Sequence, residues 1–169
     1  MRIMNNIWKS AKYSVKTKLR LYNACVLSTL LYGSECWRMT KCDAKKLSTF
    51  HTTCLRKILR IFWPNKISNE NLLERCNTED LETLITRRRW QWIGHVLRMD
   101  RDSITKTSLH WTPEGKRKQG RPKETWRRTV NAEIKKMNKS WSALQRLACD
   151  RERWRGFVAA LRVTGHTGT

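Results

Sequence analysis

The chain has 169 residues, room for one full-sized domain or two small ones, and its 36 Lys and Arg against 14 Asp and Glu give a net charge of +22. A compact particle this cationic repels itself unless a polyanion offsets the field, which points to nucleic acid as partner. No membrane partner is expected: an anionic membrane surface usually calls for a membrane-binding amphipathic basic helix or a lipidation motif, and neither is evident, the longest mostly apolar stretch (Ala24 to Tyr32) is too short to span a bilayer, and no apolar signal segment follows Met1.

Strand signals are nearly absent, and helical periodicity recurs along the chain. From Lys16 to Tyr32, Leu19, Val26, Leu27, Leu30 and Leu31 fall mainly on one side, and Gly33 suits a helix stop. From Asp43, the residues Leu47, Phe50, Cys54, Leu55, Ile58, Leu59 and Phe62 form an i, i+3, i+4 stripe that Pro64 ends. The opposite face of that helix carries Lys45, Lys46, Arg56, Lys57 and Arg60, a basic surface over a core face.

Ser68 reads as the N-cap of a short helix to Cys76, and Thr78 or Asp80 as the cap of the next. In that next helix Leu81, Leu84, Ile85, Trp92, Ile93, Val96 and Leu97 line one face. Its Gly94 costs about 1 kcal/mol relative to Ala, so close packing at that point is expected. Residues 99–121 lack periodicity and predict an exposed arm with one short strand from Thr107 to Trp111. A fifth helix is expected from Pro122, turning Trp126, Val130, Ile134 and Met137 inward. A sixth, from Ser140 to Leu161, aligns Trp141, Leu144, Leu147, Ala148, Trp154, Val158 and Leu161. The expectation is an all-α protein of two small helical bundles, residues 7–76 and 77–162, with a disordered tail at 163–169.

Charge supports the division. Residues 1–70 carry +11, residues 71–86 carry −3, residues 87–128 carry +9 and residues 129–169 carry +5, so a short acidic segment joins two basic modules. The six cysteines are scattered with no C-x-x-C spacing, and most fall on stripes that look buried. That pattern predicts reduced thiols in an intracellular protein, nuclear or cytoplasmic, rather than a secreted disulfide framework.

No catalytic constellation is legible. Two-metal chemistry needs carboxylates held close together. The chain has five aspartates, and its sole D-x-D (Asp100, Asp102) lies in a loop among arginines. His95 sits on the helical stripe beside Trp92 and is expected to be a buried, hydrogen-bonded core histidine; His51 offers less. No pair of Cys or His has zinc-finger spacing, and there is no phosphate-cradling Gly-rich loop, so neither a metal nor a cofactor is implied.

Binding chemistry is much better represented. Residues 87–128 hold 13 Lys or Arg against four acids, together with four Trp. Cations neutralise phosphates and flat aromatic faces stack on bases. Arg87, Arg88 and Arg89, with Lys116, Arg117, Lys118, Arg121 and Lys123, are the candidate grip. Trp111 is the candidate exposed stacker, because it sits beside the arm rather than on a helical stripe. The core Q-G-R-P-K of the arm resembles the AT-hook, which lays arginine along a narrow minor groove. Gln119 stands where the AT-hook has its second arginine, which favours sequence-neutral phosphate binding. The same lysines would also suit a nuclear-import signal.

Several blocks in order carry a resemblance: T-K-L-R-L-Y-N-A-C-V-L-S-T-L-L-Y-G-S-E-C-W at 17–37, C-L-R-K-I-L-R-I at 54–61, W-P-N-K-I-S-N-E-N-L-L at 63–73, R-R-W-Q-W-I-G-H-V-L-R-M at 88–99, G-K-R-K-Q-G-R-P-K-E-T-W-R-R at 115–128 and D-R-E-R-W-R at 150–155. From about Ile7 onward the chain resembles the C-terminal part of the endonuclease/reverse transcriptase polyprotein of non-LTR (LINE-type) retrotransposons. The resemblance implies a thumb-like bundle at 7–76 that grips a template–primer duplex, a basic post-thumb module at 77–162, and at 1–6 a remnant of the palm–thumb junction. It implies RNA and DNA as partners in target-primed reverse transcription, together with the remainder of the polyprotein. The palm's paired aspartates would lie upstream of Met1, so no polymerase or nuclease activity is expected of this chain itself. Two other readings stay open: a chromatin or AT-rich DNA adaptor acting through the G-R-P-K arm, and an unselected relic of a truncated element.

Overall fold

A computed structural model describes residues 4–111, 115, 120 and 125–161, and every regular element among them is helical, with no strand. The all-α class is therefore as expected. The chain divides into two compact units, one of Met1–Gly33 with Lys41–Leu84 and the other of Ser34–Thr40 with Ile85–Thr169.

The first unit begins with α1 (Asn5–Lys9) and α2 (Val15–Leu21), the latter capped by the Ser14 hydroxyl accepting from the Thr17 N–H at 3.2 Å. Helix α2 runs on through a π-helical stretch, Tyr22–Leu27, into α3 (Ser28–Leu30). Gly33, at φ +66°, supplies the left-handed stop that a side chain would resist. Helix α4 (Lys41–Leu59) packs against α1, α2 and α5 (Asn69–Arg75). Trp8, Tyr22, Leu31, Leu55, Ile58, Leu72 and Leu81 form its core, each fully buried large apolar side chain contributing about 1.5–3 kcal/mol.

Two expected core positions on α4 are not in the core. Phe50 is exposed because the buried stripe centres on His51, Leu55 and Ile58, which turns Phe50 to the edge. Phe62 is exposed because the helix has already ended. The Ile61 N–H bonds the Arg56 carbonyl at 2.9 Å around Arg60, whose φ is 56°, and the chain leaves helical register there. Helices α5 and α8 (Trp126–Lys136) close the same way around Asn77 and Asn138, at φ 45° and 49°. Arginine is an unusual choice for that conformation; Arg60 is held in it by donating to the Lys9 carbonyl.

Helix α6 (Leu81–Leu97) is capped by Asp80, whose Oδ1 accepts from the N–H groups of Glu82 at 2.7 Å and Thr83 at 3.1 Å. Its residues up to Leu84 belong to the first unit and the rest to the second. The second unit adds α7 (Ile104–His110), α8, α9 (Trp141–Cys149) and α10 (Arg151–Ala160) around Trp90, Ile93, Val96, Leu109, Val130, Ile134, Leu144, Trp154 and Val158. The Trp154 indole lies across Gly94 and donates to the Trp90 carbonyl at 3.1 Å. The Trp126 indole donates to the Glu35 carbonyl at 2.7 Å, which ties the short 3₁₀ turn Ser34–Cys36 into this unit.

Several expectations need correction. The strand expected from Thr107 to Trp111 is the end of α7, where Leu109 is buried, so residues 99–121 are not wholly an exposed arm. Residues Ser140 to Leu161 form two helices, because Asp150 adopts an extended conformation and caps α10 through the Glu152 and Arg153 N–H groups at 3.0 and 3.1 Å. Pro122 lies outside the described residues; α8 starts at Trp126, with Thr125 as its cap. His95 is exposed rather than a core histidine, since the buried face of α6 runs through Ile93, Val96 and Leu97. Only Cys54 and Cys76 are buried, whereas Cys25, Cys36, Cys42 and Cys149 are exposed, and all six are free thiols. Among the described residues no helix is long and apolar enough to cross a membrane.

Candidate nucleic-acid interface

Basic residues in this chain do two kinds of work, and geometry separates them. A helix C-terminus leaves carbonyls without intrahelical partners and carries partial negative charge, so cations settle there. Lys18, buried, donates to the carbonyls of Trp8 at 2.9 Å and Ser10 at 2.7 Å at the end of α1. Lys106 donates to the Met99 carbonyl at 2.7 Å just beyond α6. Arg127 donates to the Leu109 and Trp111 carbonyls at 2.9 and 2.5 Å at the end of α7. Arg98 serves α9 through the Ala148 carbonyl at 3.1 Å, and Arg87 serves α10 through the Ala159 carbonyl at 3.2 Å.

Some residues expected to grip nucleic acid belong to this structural set. Arg89 is the plainest correction. It is 2 % exposed and paired with Glu133, so its guanidinium is spent inside the second unit. Glu133 also accepts from the Trp90 indole at 2.8 Å. Burial pushes the Glu133 carboxyl above its ordinary range, with Arg89 and the Trp90 hydrogen bond pulling the other way. Arg87 and Arg88 are half-buried. Arg56 ties down the chain after α4, donating to the Ile67 carbonyl at 3.1 Å and to Asn69 Oδ1 at 2.8 Å. Arg60 is exposed but bonded to Lys9.

The other expected residues are differently placed. Lys45, Lys46 and Lys57 are exposed on the outer face of α4. Trp111 is 63 % exposed at the C-cap of α7. Lys116, Arg117, Lys118, Arg121 and Lys123 lie outside the described residues. Two features escaped the sequence reading. On α8, Arg128, Lys135 and Lys136 are exposed opposite buried Val130 and Ile134, followed by exposed Lys139, a stripe whose helical spacing was legible. The second is Trp63, which stands 84 % exposed.

One buried polar pair in the first unit is a core feature rather than a catalytic one. The Tyr22 hydroxyl and His51 Nδ1 lie 2.8 Å apart. Burial raises the phenol well above its usual range, so Tyr22 keeps its proton and shares a hydrogen bond with the His51 ring. Desolvation lowers His51, outweighing the Glu79 backbone and the Asp80 carboxylate, which favour the charged ring. Among the described residues no group of three or more His, Cys, Asp or Glu could hold a metal ion. A depressed histidine pKa means that the unfolded state binds the proton more tightly. Stability is then full above the unfolded value near pH 6.5 and falls as pH drops below it toward the folded value. Urea midpoints for the first unit should decline from pH 7 to pH 5, and His51→Gln should flatten that decline. An equally steep decline in His51→Gln would assign the effect elsewhere.

Compared with known proteins, the chain matches no family model and no solved structure. It is 25 % identical over 150 residues to a putative uncharacterized transposon-derived protein of Caenorhabditis elegans, a match covering 82 % of this chain and 53 % of that protein. The chain thus spans about half the length of the curated relative it matches. The similarity supports a transposon-related origin.

Proposed function

We propose that the chain is the nucleic-acid-binding C-terminal part of a non-LTR (LINE-type) retrotransposon reverse transcriptase, gripping template RNA and primer DNA in target-primed reverse transcription when joined to its palm. Residues 7–76 act as the thumb-like bundle and 77–162 as the basic post-thumb module, with the polymerase chemistry supplied by the palm. One observation carries the reading: in a chain of net charge +22, Lys45, Lys46 and Lys57 stand exposed on α4 opposite its buried stripe, with no acidic residue between Lys45 and Lys57. The transposon-derived relative and the ordered sequence blocks from 17 to 155 supply the biological context. The chain carries no active site of its own in this reading, and the remainder of the polyprotein is its covalent partner.

Fluorescence anisotropy across a salt series tests this, with an RNA–DNA hybrid, duplex DNA and single-stranded RNA as ligands. Wild type should bind steeply with salt, log affinity falling by about 0.9 per log unit of salt for each duplex phosphate neutralised. Replacing Lys45, Lys46 and Lys57 together by Ala should reduce that slope by about 2 to 3. Ala substitutions at Lys116, Arg117, Lys118 and Arg121 should weaken binding further. An affinity that barely moves between about 50 and 200 mM salt would sink the phosphate grip.

A further inference from the structure

The first unit presents an aromatic turn that its own core does not use. Past the left-handed Arg60, Phe62 and Trp63 stand 59 % and 84 % exposed, while the unit's other tryptophan, Trp8, is 2 % exposed. The turn is anchored on its return side. Arg56 bonds Ile67 and Asn69 as described, and the Ser68 hydroxyl caps α5 by accepting from the Asn71 N–H at 3.2 Å.

The surroundings are cationic rather than apolar. Lys57 is exposed on the last turn of α4. Three residues past Trp63, Lys66 joins Arg75 in lining an open depression of about 430 Å³ with Ile67, Asn71 and a single acid, Glu74. An exposed indole three residues along the chain from a depression lined by two cations and one acid complements a ligand with π-faces and phosphates; an apolar protein surface would leave Lys66 and Arg75 without partners. Base faces are available in single strands and covered in a duplex.

We propose that the Phe62–Trp63 turn is a base-stacking site for single-stranded nucleic acid, in which Trp63 takes a base face and Lys66 and Arg75 hold adjoining phosphates. The proposal rests on the nucleic-acid reading above and gives it a specific contact.

The test uses the full chain with a fluorescein-labelled oligouridylate of about 12 nucleotides, within the usual site size, and an abasic strand of equal length. Trp63→Ala should weaken binding to the base-bearing strand about tenfold and leave the abasic strand within about twofold, and Trp63→Phe should recover most of the loss. Lys66→Ala and Arg75→Ala should weaken both strands and each lower the salt slope by about 0.7. A thermal melt of Trp63→Ala should match wild type, because the side chain is exposed. Tight wild-type binding that Trp63→Ala leaves unchanged overturns the stacking site while the nucleic-acid reading stands. No wild-type binding to any strand or hybrid overturns both. Unchanged binding combined with loss of self-association in sedimentation would make the turn a protein-docking surface instead.

Discussion

Gly94→Ala should destabilise the second unit by about 3 kcal/mol or more, although Ala is the better helix former by about 1 kcal/mol. A Cβ built at Gly94 would lie 2.0 Å from Trp154 Nε1 and 2.3 Å from its Cε2, well inside contact distance. The indole cannot simply slide away, because its N–H is bonded to the Trp90 carbonyl at 3.1 Å and its ring packs against Trp90 and Phe157. Urea denaturation followed by tryptophan emission reads the effect well, since seven of the nine tryptophans belong to this unit. Coupling supplies the control. In a Trp154→Leu background, which has its own cavity cost of a few kcal/mol, Gly94→Ala should become nearly neutral or mildly stabilising. A cost under about 0.5 kcal/mol in the wild-type background would mean that Trp154 does not cross α6 at Gly94.

Glu133→Ala should cost about 3–5 kcal/mol, because it strands the Arg89 guanidinium in the core without a counter-charge. Arg89 is 2 % exposed, so water cannot replace the lost partner, and the Trp90 indole loses its acceptor as well. Buried ion pairs in general add little net stability, because desolvation offsets their attraction. Burial raises the Glu133 carboxyl, so folding favours its protonated form and stability falls as pH rises through the carboxylate range. The double change Arg89→Met with Glu133→Leu should therefore be near neutral, or stabilising by up to about 4 kcal/mol. Equal losses in the double change and in Glu133→Ala would show that the pair matters for more than satisfying its own buried charges. Nucleic-acid affinity of the double variant should stay close to wild type, whereas loss of most of it would return Arg89 to the binding surface.

Helix positions were legible wherever local chemistry and periodicity agreed. The α4 stripe through Cys54, Leu55 and Ile58, the Ser68 and Asp80 caps and the stop at Gly33 each depend on residues within one or two turns. Close packing at Gly94 was also anticipated, but its partner, 60 positions on, was not. The errors share a cause. A period of 3.6 runs unbroken through Ser140 to Leu161, and only the capping geometry of Asp150 breaks the helix there. His95 is exposed and His51 buried because tertiary packing chooses which part of a wide stripe is buried.

The candidate interface divides along the same line. Charge and periodicity are additive along the chain, so residue order is enough to establish a helical, strongly cationic protein with aromatics among its basic residues and a likeness to a transposon-derived protein. Which cations face water is set by long-range packing. Lys45, Lys46 and Lys57 do; Arg89 pairs with Glu133, 44 positions away, and Arg87, Arg98 and Lys18 close helix ends whose carbonyls lie eight to 72 positions away. A guanidinium reads the same in sequence whether it meets a phosphate or an orphan carbonyl. The fold alone brings it to one or the other.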